Sequence, residues 1–195
     1  MKKIYKRWWF WLAIIIIVIA IKGASGSDNN NKTDESATSS SQNNKEKEAK
    51  TKVTYENFLK IGMDQSYEEA CEVLGEGTET TSSDIGGITT KMYTWTGSGI
   101  SNMNITVQNG VITGKAQAGL KKSDANITLE KYNEINEGMS LEEVNSILGE
   151  GELTSQSKVM DIDSCIYSWI NKDGTNCNVT FQGDVVTMKA QFNLK

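Results

Sequence analysis

The sequence predicts an α+β fold: two tandem repeats of a helix-loop-helix packed on a four-stranded antiparallel sheet. Three observations carry this. The stretch from Thr54 falls without a gap on the stretch from Thr128, and about 25 of 67 aligned positions are identical. Each stretch opens with two helix-start signals, Thr54 and Ser66 in the first copy and Thr128 and Ser140 in the second. Each closes on alternating apolar and polar residues with glycine turns, which is strand patterning.

The first helix of each copy starts at Thr54 or Thr128 and carries Phe58 and Ile61, or Tyr132 and Ile135, on one side. The second starts at Ser66 or Ser140, three residues before Glu69 or Glu143. That spacing is a capping box, in which hydroxyl and carboxylate each satisfy an N–H at the helix end. Ala70, Val73 and Leu74, or Val144, Ile147 and Leu148, continue it at helical spacing. Gly75 and Gly149 stop it, because glycine tolerates the left-handed conformation.

Strands fill the remainder of each copy, the first of them near 78–83 and 152–158. The strongest hairpin signal is Asn109-Gly110, suited to a two-residue turn, with Gly183-Asp184 as its counterpart. Pairing Gln108 with Val111 sets Val107 opposite Ile112 and Ile105 opposite Gly114. The same register sets Phe181 opposite Val186 and Val179 opposite Met188. One face would then collect Val179, Phe181, Val186, Met188, Ala190 and Phe192. The other would hold Thr180, Gln182, Thr187, Lys189 and Gln191.

Before the repeats come two further segments. Residues 1–22 place Lys2, Lys3, Lys6 and Arg7 ahead of an apolar run, Trp8 to Ile21. Fourteen residues at about 1.5 Å each span roughly 21 Å, short of a ~30 Å slab, which suits a cleaved signal. Tyr5 and the Trp8, Trp9 and Trp11 cluster suit an interfacial belt instead, and the expectation is an uncleaved transmembrane signal anchor. It predicts a single-pass cell-membrane protein, N-terminus cytoplasmic, C-terminal part extracellular. Residues 23–52, polar and without an aromatic residue, read as a disordered linker reaching about 30 Å. The repeats are bounded at 53–120 and 127–194.

Composition narrows the chemistry. The net charge is −5 with scattered basic residues, which gives no nucleic-acid footprint. There is no His, the commonest general base and metal ligand, and no Pro. The three cysteines, Cys71, Cys165 and Cys177, allow at most one intramolecular bridge and suit small buried side chains. Glu68-Glu69 and Glu142-Glu143 are helix-cap carboxylates, Gly75-Glu76-Gly77 is a helix stop, and Asp161 and Asp163 suit a solvated loop. No cofactor or metal is expected and the chain is not predicted to be an enzyme.

The binding candidates are Tyr93 and Trp95, repeated as Tyr167 and Trp169, the only aromatic pair present in both copies. Their face depends on the next loop. A two-residue turn at Asp173-Gly174 puts Tyr167 and Trp169 on the wet face as a platform for a protein partner. A three-residue loop buries them.

Residues 127–194 resemble the tandem-repeat β-lactamase inhibitor protein family, and 53–120 do so through the repeat. The resemblance rests on Phe58 or Tyr132 with the following Ile, Gly138-Met139-Ser140, Leu-Gly-Glu-Gly after the second helix, and the hairpin from Val107 to Gln117. Envelope domains of the BamE/SmpA type share these motifs. The resemblance implies helix pairs on two four-stranded sheets forming a saddle whose aromatic-bearing surface grips a partner. It also implies a disulfide in each repeat; Cys165 matches one half-cystine position, while Leu153 stands near the other. Together these features predict a membrane-tethered, extracytoplasmic protein-binding module that uses the open face of its tandem-repeat sheet, with an envelope protein as partner. The alternatives are an assembly role docking on a membrane protein, or inhibition of a β-lactamase or other enzyme.

Overall fold

A computed structural model describes residues 52–195. The first copy contains α1 (Tyr55–Lys60), α2 (Tyr67–Leu74), β1 (Thr78–Ile85), β2 (Ile88–Thr96), β3 (Asn102–Gln108) and β4 (Val111–Ala118). The second contains α3 (Leu129–Glu134), α4 (Leu141–Leu148), β5 (Glu152–Val159), β6 (Ile162–Ile170), β7 (Asn176–Gln182) and β8 (Val185–Phe192).

The helices begin where side-chain oxygens meet their free N–H groups. Thr54 and Thr128 accept from Asn57 and Lys131, and Ser66 and Ser140 form full capping boxes with Glu69 and Glu143. The bonds from Ser140 hold the Glu143 carboxyl below its usual pKa, as a cap should. Gly75 closes α2 at φ 77, where any other residue would be strained.

The expectation of two separate four-stranded sheets is overturned. The strands form one antiparallel sheet of eight, in the order β1 to β8, and the helices are short. The copies are joined where β4 pairs with β5: Gly114, Lys115 and Ala116 face Ser157, Gln156 and Ser155. Side chains widen the joint. Gln117 Nε2 donates to Glu152 Oε1 at 2.7 Å and to the Leu153 carbonyl at 3.0 Å. Ser123 donates to the second Glu152 oxygen at 2.6 Å, and the Tyr55 hydroxyl accepts from Leu153 N at 2.7 Å. Leu153 of copy two thereby packs into the core of copy one.

The predicted register also fails at one point. A bulge at Thr113 shifts β4, so Thr106, not Ile105, faces Gly114; a bulge at Thr187 likewise sets Met188 opposite Thr180. Beyond the bulge every side chain changes face. Lys189 and Gln191 therefore turn towards the helices, and Met188, Ala190 and Phe192 away from them. The reason lies in two lysines, Lys115 buried and Lys189 partly so. Lys115 Nζ donates to the carbonyls of Phe58 and Ile61 at 3.0 and 2.5 Å, satisfying the C-terminal end of α1. Lys189 does the same for Tyr132 and Ile135.

Both cores lie on one side of the sheet. Trp95, Met103, Ile105, Val107 and Ile112 share a face by register with Phe58, Ile61, Ala70 and Leu74 packed over them. The pairings of Lys115 with Gln156 and of Gln156 with Cys165 carry that face into copy two, where Trp169, Val179, Phe181 and Val186 continue it.

The expected anchor, residues 1–22, lies outside the described residues, as does nearly all of the linker. No helix among the described residues is long and apolar enough to cross a membrane. The structure therefore gives no support to a transmembrane, single-pass assignment, and that expectation is withdrawn.

Candidate protein-binding surface

The four aromatic candidates lie behind the sheet, on the helix-covered side. Trp95 is 3% exposed and Trp169 1%, while Tyr93 and Tyr167 are half-buried. The cause is loop length. Asn171 N donates to Thr175 O, leaving a three-residue loop, Lys172 to Gly174, and Gly97 with Ser101 brackets the same loop in copy one. Each indole N–H donates to the glycine carbonyl that ends the second helix, Trp95 to Gly75 at 2.9 Å and Trp169 to Gly149 at 2.8 Å. A Cβ on Gly77 or Gly151 would stand 2.6 Å from the indole ring, so both ends of Leu-Gly-Glu-Gly are explained by the tryptophan. As a surface platform the two tryptophans are ruled out by burial; they lock helix to strand.

The other face bears no helix among the described residues. Reading the register across it, β2 contributes Thr90, Met92, Thr94 and Thr96, and β3 contributes Asn102, Asn104, Thr106 and Gln108. In copy two the face holds Ile166, Ser168 and Ile170 on β6, Asn176, Asn178, Thr180 and Gln182 on β7, and Met188, Ala190 and Phe192 on β8. The only ionisable residue in register with this face is Glu152, and its carboxylate is buried in the joint. Glu79, Asp84, Lys91, Lys158 and Asp163 all alternate to the helix side. In a chain that is 23% charged, a whole sheet face without an exposed charge is a distinct surface.

Its polar groups are ordered. Thr94 Oγ1 donates to Asn104 Oδ1 at 2.6 Å, and Ser168 Oγ donates to Asn178 Oδ1 at 2.5 Å. Thr80 and Thr154, at the bulges of β1 and β5, extend both ladders at 3.4 Å. Each asparagine thus has its oxygen engaged and its amide N–H groups directed elsewhere. Exposed apolar side chains sit beside the copy-two ladder, with Phe192 60% and Met188 47% exposed.

Sequence reading assigns binding to the open face and places Thr180 and Gln182 on it, but it does not name the signal that marks the face. On β3 and β7 the four open-face residues are identical between copies: Asn102, Asn104, Thr106, Gln108 and Asn176, Asn178, Thr180, Gln182. The buried residues between them differ: Met103, Ile105 and Val107 against Cys177, Val179 and Phe181.

The remaining candidates behave as caps, turns and core. Asp161 is a turn residue at φ 63, and no group of three or more acidic or cysteine side chains among the described residues converges to hold a metal ion. All three cysteines are free. Cys165 and Cys177 face Phe181 and Trp169 rather than each other, and the implied disulfides are not formed. Burial pushes both thiols up, Cys177 to about 12, which keeps them protonated and unreactive.

Fold and surface thus define a duplicated sheet domain with one covered and one open face, the class of a protein-binding module. The family model described as β-lactamase inhibitor (BLIP) matches residues 54–169, and the chain belongs to that family. A putative β-lactamase inhibitor protein from Streptococcus mutans shares the fold at a TM-score of 0.59 with 21% sequence identity, over 71% of this chain and 94% of the other. No curated protein matches the chain.

Proposed function

We propose that this chain is a non-enzymatic binding module that takes a protein partner on the open face of its eight-stranded sheet. One observation carries the reading: the uncharged face retains the same four side chains on β3 and β7 in both copies, while the core behind them has drifted. Folding alone would favour the opposite, because cores constrain side-chain size and solvated strand faces do not. A surface depleted of charge, with ordered amides and hydroxyls beside exposed Phe192 and Met188, has the composition of an interface core. The tryptophans serve this surface from behind by fixing β2 and β6 against their helices. Membership of a family described as β-lactamase inhibitors favours an enzyme as the partner, with inhibition as the outcome of binding.

The test places a photo-crosslinking residue in the full chain at Gln108 or Met188 on the open face, and at Glu130 on the helix side. The reading expects one protein species captured from both open-face positions and not from the helix-side control. It also expects Asn104→Ala with Asn178→Ala to reduce that capture at least tenfold. Capture from Glu130 alone would refute it. A purified serine β-lactamase in the same assay, with its hydrolysis rate followed, decides whether the partner is of that class.

A further inference from the structure

Four aligned positions set the helix-side floor of copy two apart from that of copy one. Where copy one has Tyr67, Lys91, Thr89 and Gly110, copy two has Leu141, Cys165, Asp163 and Asp184. Copy one fills its floor with its own side chains. The Tyr67 ring stacks on Tyr93 with centroids 3.9 Å apart. Lys91 lies alongside, its ammonium 3.0 Å from Glu79 and beside the Tyr93 hydroxyl. In copy two both fillers are shorter, and a cavity of about 270 Å³ opens against Tyr167 and Phe181. These two rings meet edge to face, with centroids 5.6 Å apart.

The same changes reverse the local charge. One ammonium is lost and two carboxylates are gained, so Glu142, Asp163 and Asp184 now rim an aromatic floor. None of the three is ion-paired with a described residue. Lys158, opposite Asp163 in the strand register, is taken by Asp64. The carboxylates do not converge as a metal cage would require. They suit instead a cation on a long apolar stem, whose methylenes lie on rings while its head stays among acidic groups.

We propose that this groove binds an arginine or lysine side chain of a protein partner, with its stem over Tyr167 and Phe181 and its charged head among Glu142, Asp163 and Asp184. Copy one supplies the internal precedent, because Lys91 occupies the position of Cys165 and lies beside the equivalent tyrosine. The groove is on the helix side of the sheet, so its failure and that of the open-face reading are independent.

The test titrates the full chain with acetyl-Gly-Arg-Gly-amide and with its neutral citrulline counterpart, followed by amide chemical shifts. The arginine peptide should move Cys165, Tyr167 and Phe181 and bind at least tenfold more tightly than the citrulline peptide. Asp163→Asn with Asp184→Asn should remove that preference. Cys165→Lys, which gives copy two the lysine of copy one, should abolish binding while leaving the remaining spectrum intact. Cys165→Lys serves alone should the double variant fail to fold. Equal binding of both peptides, no shifts at these residues, or unchanged binding to C165K would each overturn the proposal.

Discussion

β4 and β8 are aligned strands of the two copies in different surroundings, one inside the sheet and one at its edge. Both send a lysine to the carbonyls that end a helix, and both use a glutamine Oε1 to accept from a leucine N–H, Leu120 or Leu194. Only Gln117 also reaches a neighbouring strand, through Glu152 and Leu153. The partners it finds there have no counterparts at the outer edges. Leu129 stands in place of Tyr55, and Thr78 and Glu79 stand in place of Glu152 and Leu153. A second molecule added head to tail would lose three hydrogen bonds, the two to Glu152 and the one to the Tyr55 hydroxyl, and press the Glu79 carboxylate into the site that buries Leu153. Burying such an unpaired charge is costly, so the duplication closes after one joint rather than continuing as an array.

The comparison can be broken where the copies should behave alike. Trp95→Ala and Trp169→Ala should each cost about 3–5 kcal/mol in denaturant unfolding, since each empties a core and orphans a glycine carbonyl. A much smaller loss in either would show that the tryptophan lock is not shared. Where the copies differ, Gln117→Ala should cost about 1–3 kcal/mol by depriving the buried Glu152 carboxylate of a donor. Gln191→Ala, at the free edge, should stay within about 0.5 kcal/mol of the parent chain.

Burial lowers the Lys115 pKa from 10.5 to about 8. Between those values the unfolded chain holds a proton that the folded one has released, so rising pH favours folding in that window. Measured as the stability difference between the parent chain and Lys115→Met, this contribution should be constant below about pH 8. It should then grow to about 10.5 and level off. The smallest effect should come from building the joint at the outer edges. Thr78→Glu, Glu79→Leu and Leu129→Tyr together should produce weak, concentration-dependent association in sedimentation, beyond any seen for the parent chain.

Much of this architecture was legible because it is local. Capping boxes, the Asn109-Gly110 hairpin and the glycine stops depend on residues a few positions apart, and each appears where its chemistry demands. The face of the tryptophans was not legible, because it turned on one residue of loop length between Ile170 and Asn176. The bulges at Thr113 and Thr187 were hidden for a related reason. They exist so that Lys115 and Lys189 can reach helix carbonyls more than 50 residues earlier in the chain. The joint was hidden too, since Ser155, Gln156 and Ser157 resemble any polar edge strand until β4 is laid beside them. The open face was expected, yet its membership beyond residues such as Thr180 and Gln182 was not legible, because its residues are ordinary singly and only their identity across the copies marks them.

The claim that two copies form one sheet through a single joint is tested most directly by amide hydrogen exchange on the full chain. The amides of Gly114–Ala116 and Ser155–Ser157 that point into the joint are compared with their aligned counterparts at the edges, Met188–Ala190 and Thr81–Ser83. The joint amides should exchange at least tenfold more slowly than those counterparts. Exchange at the joint as fast as at the free edges would contradict the continuous sheet.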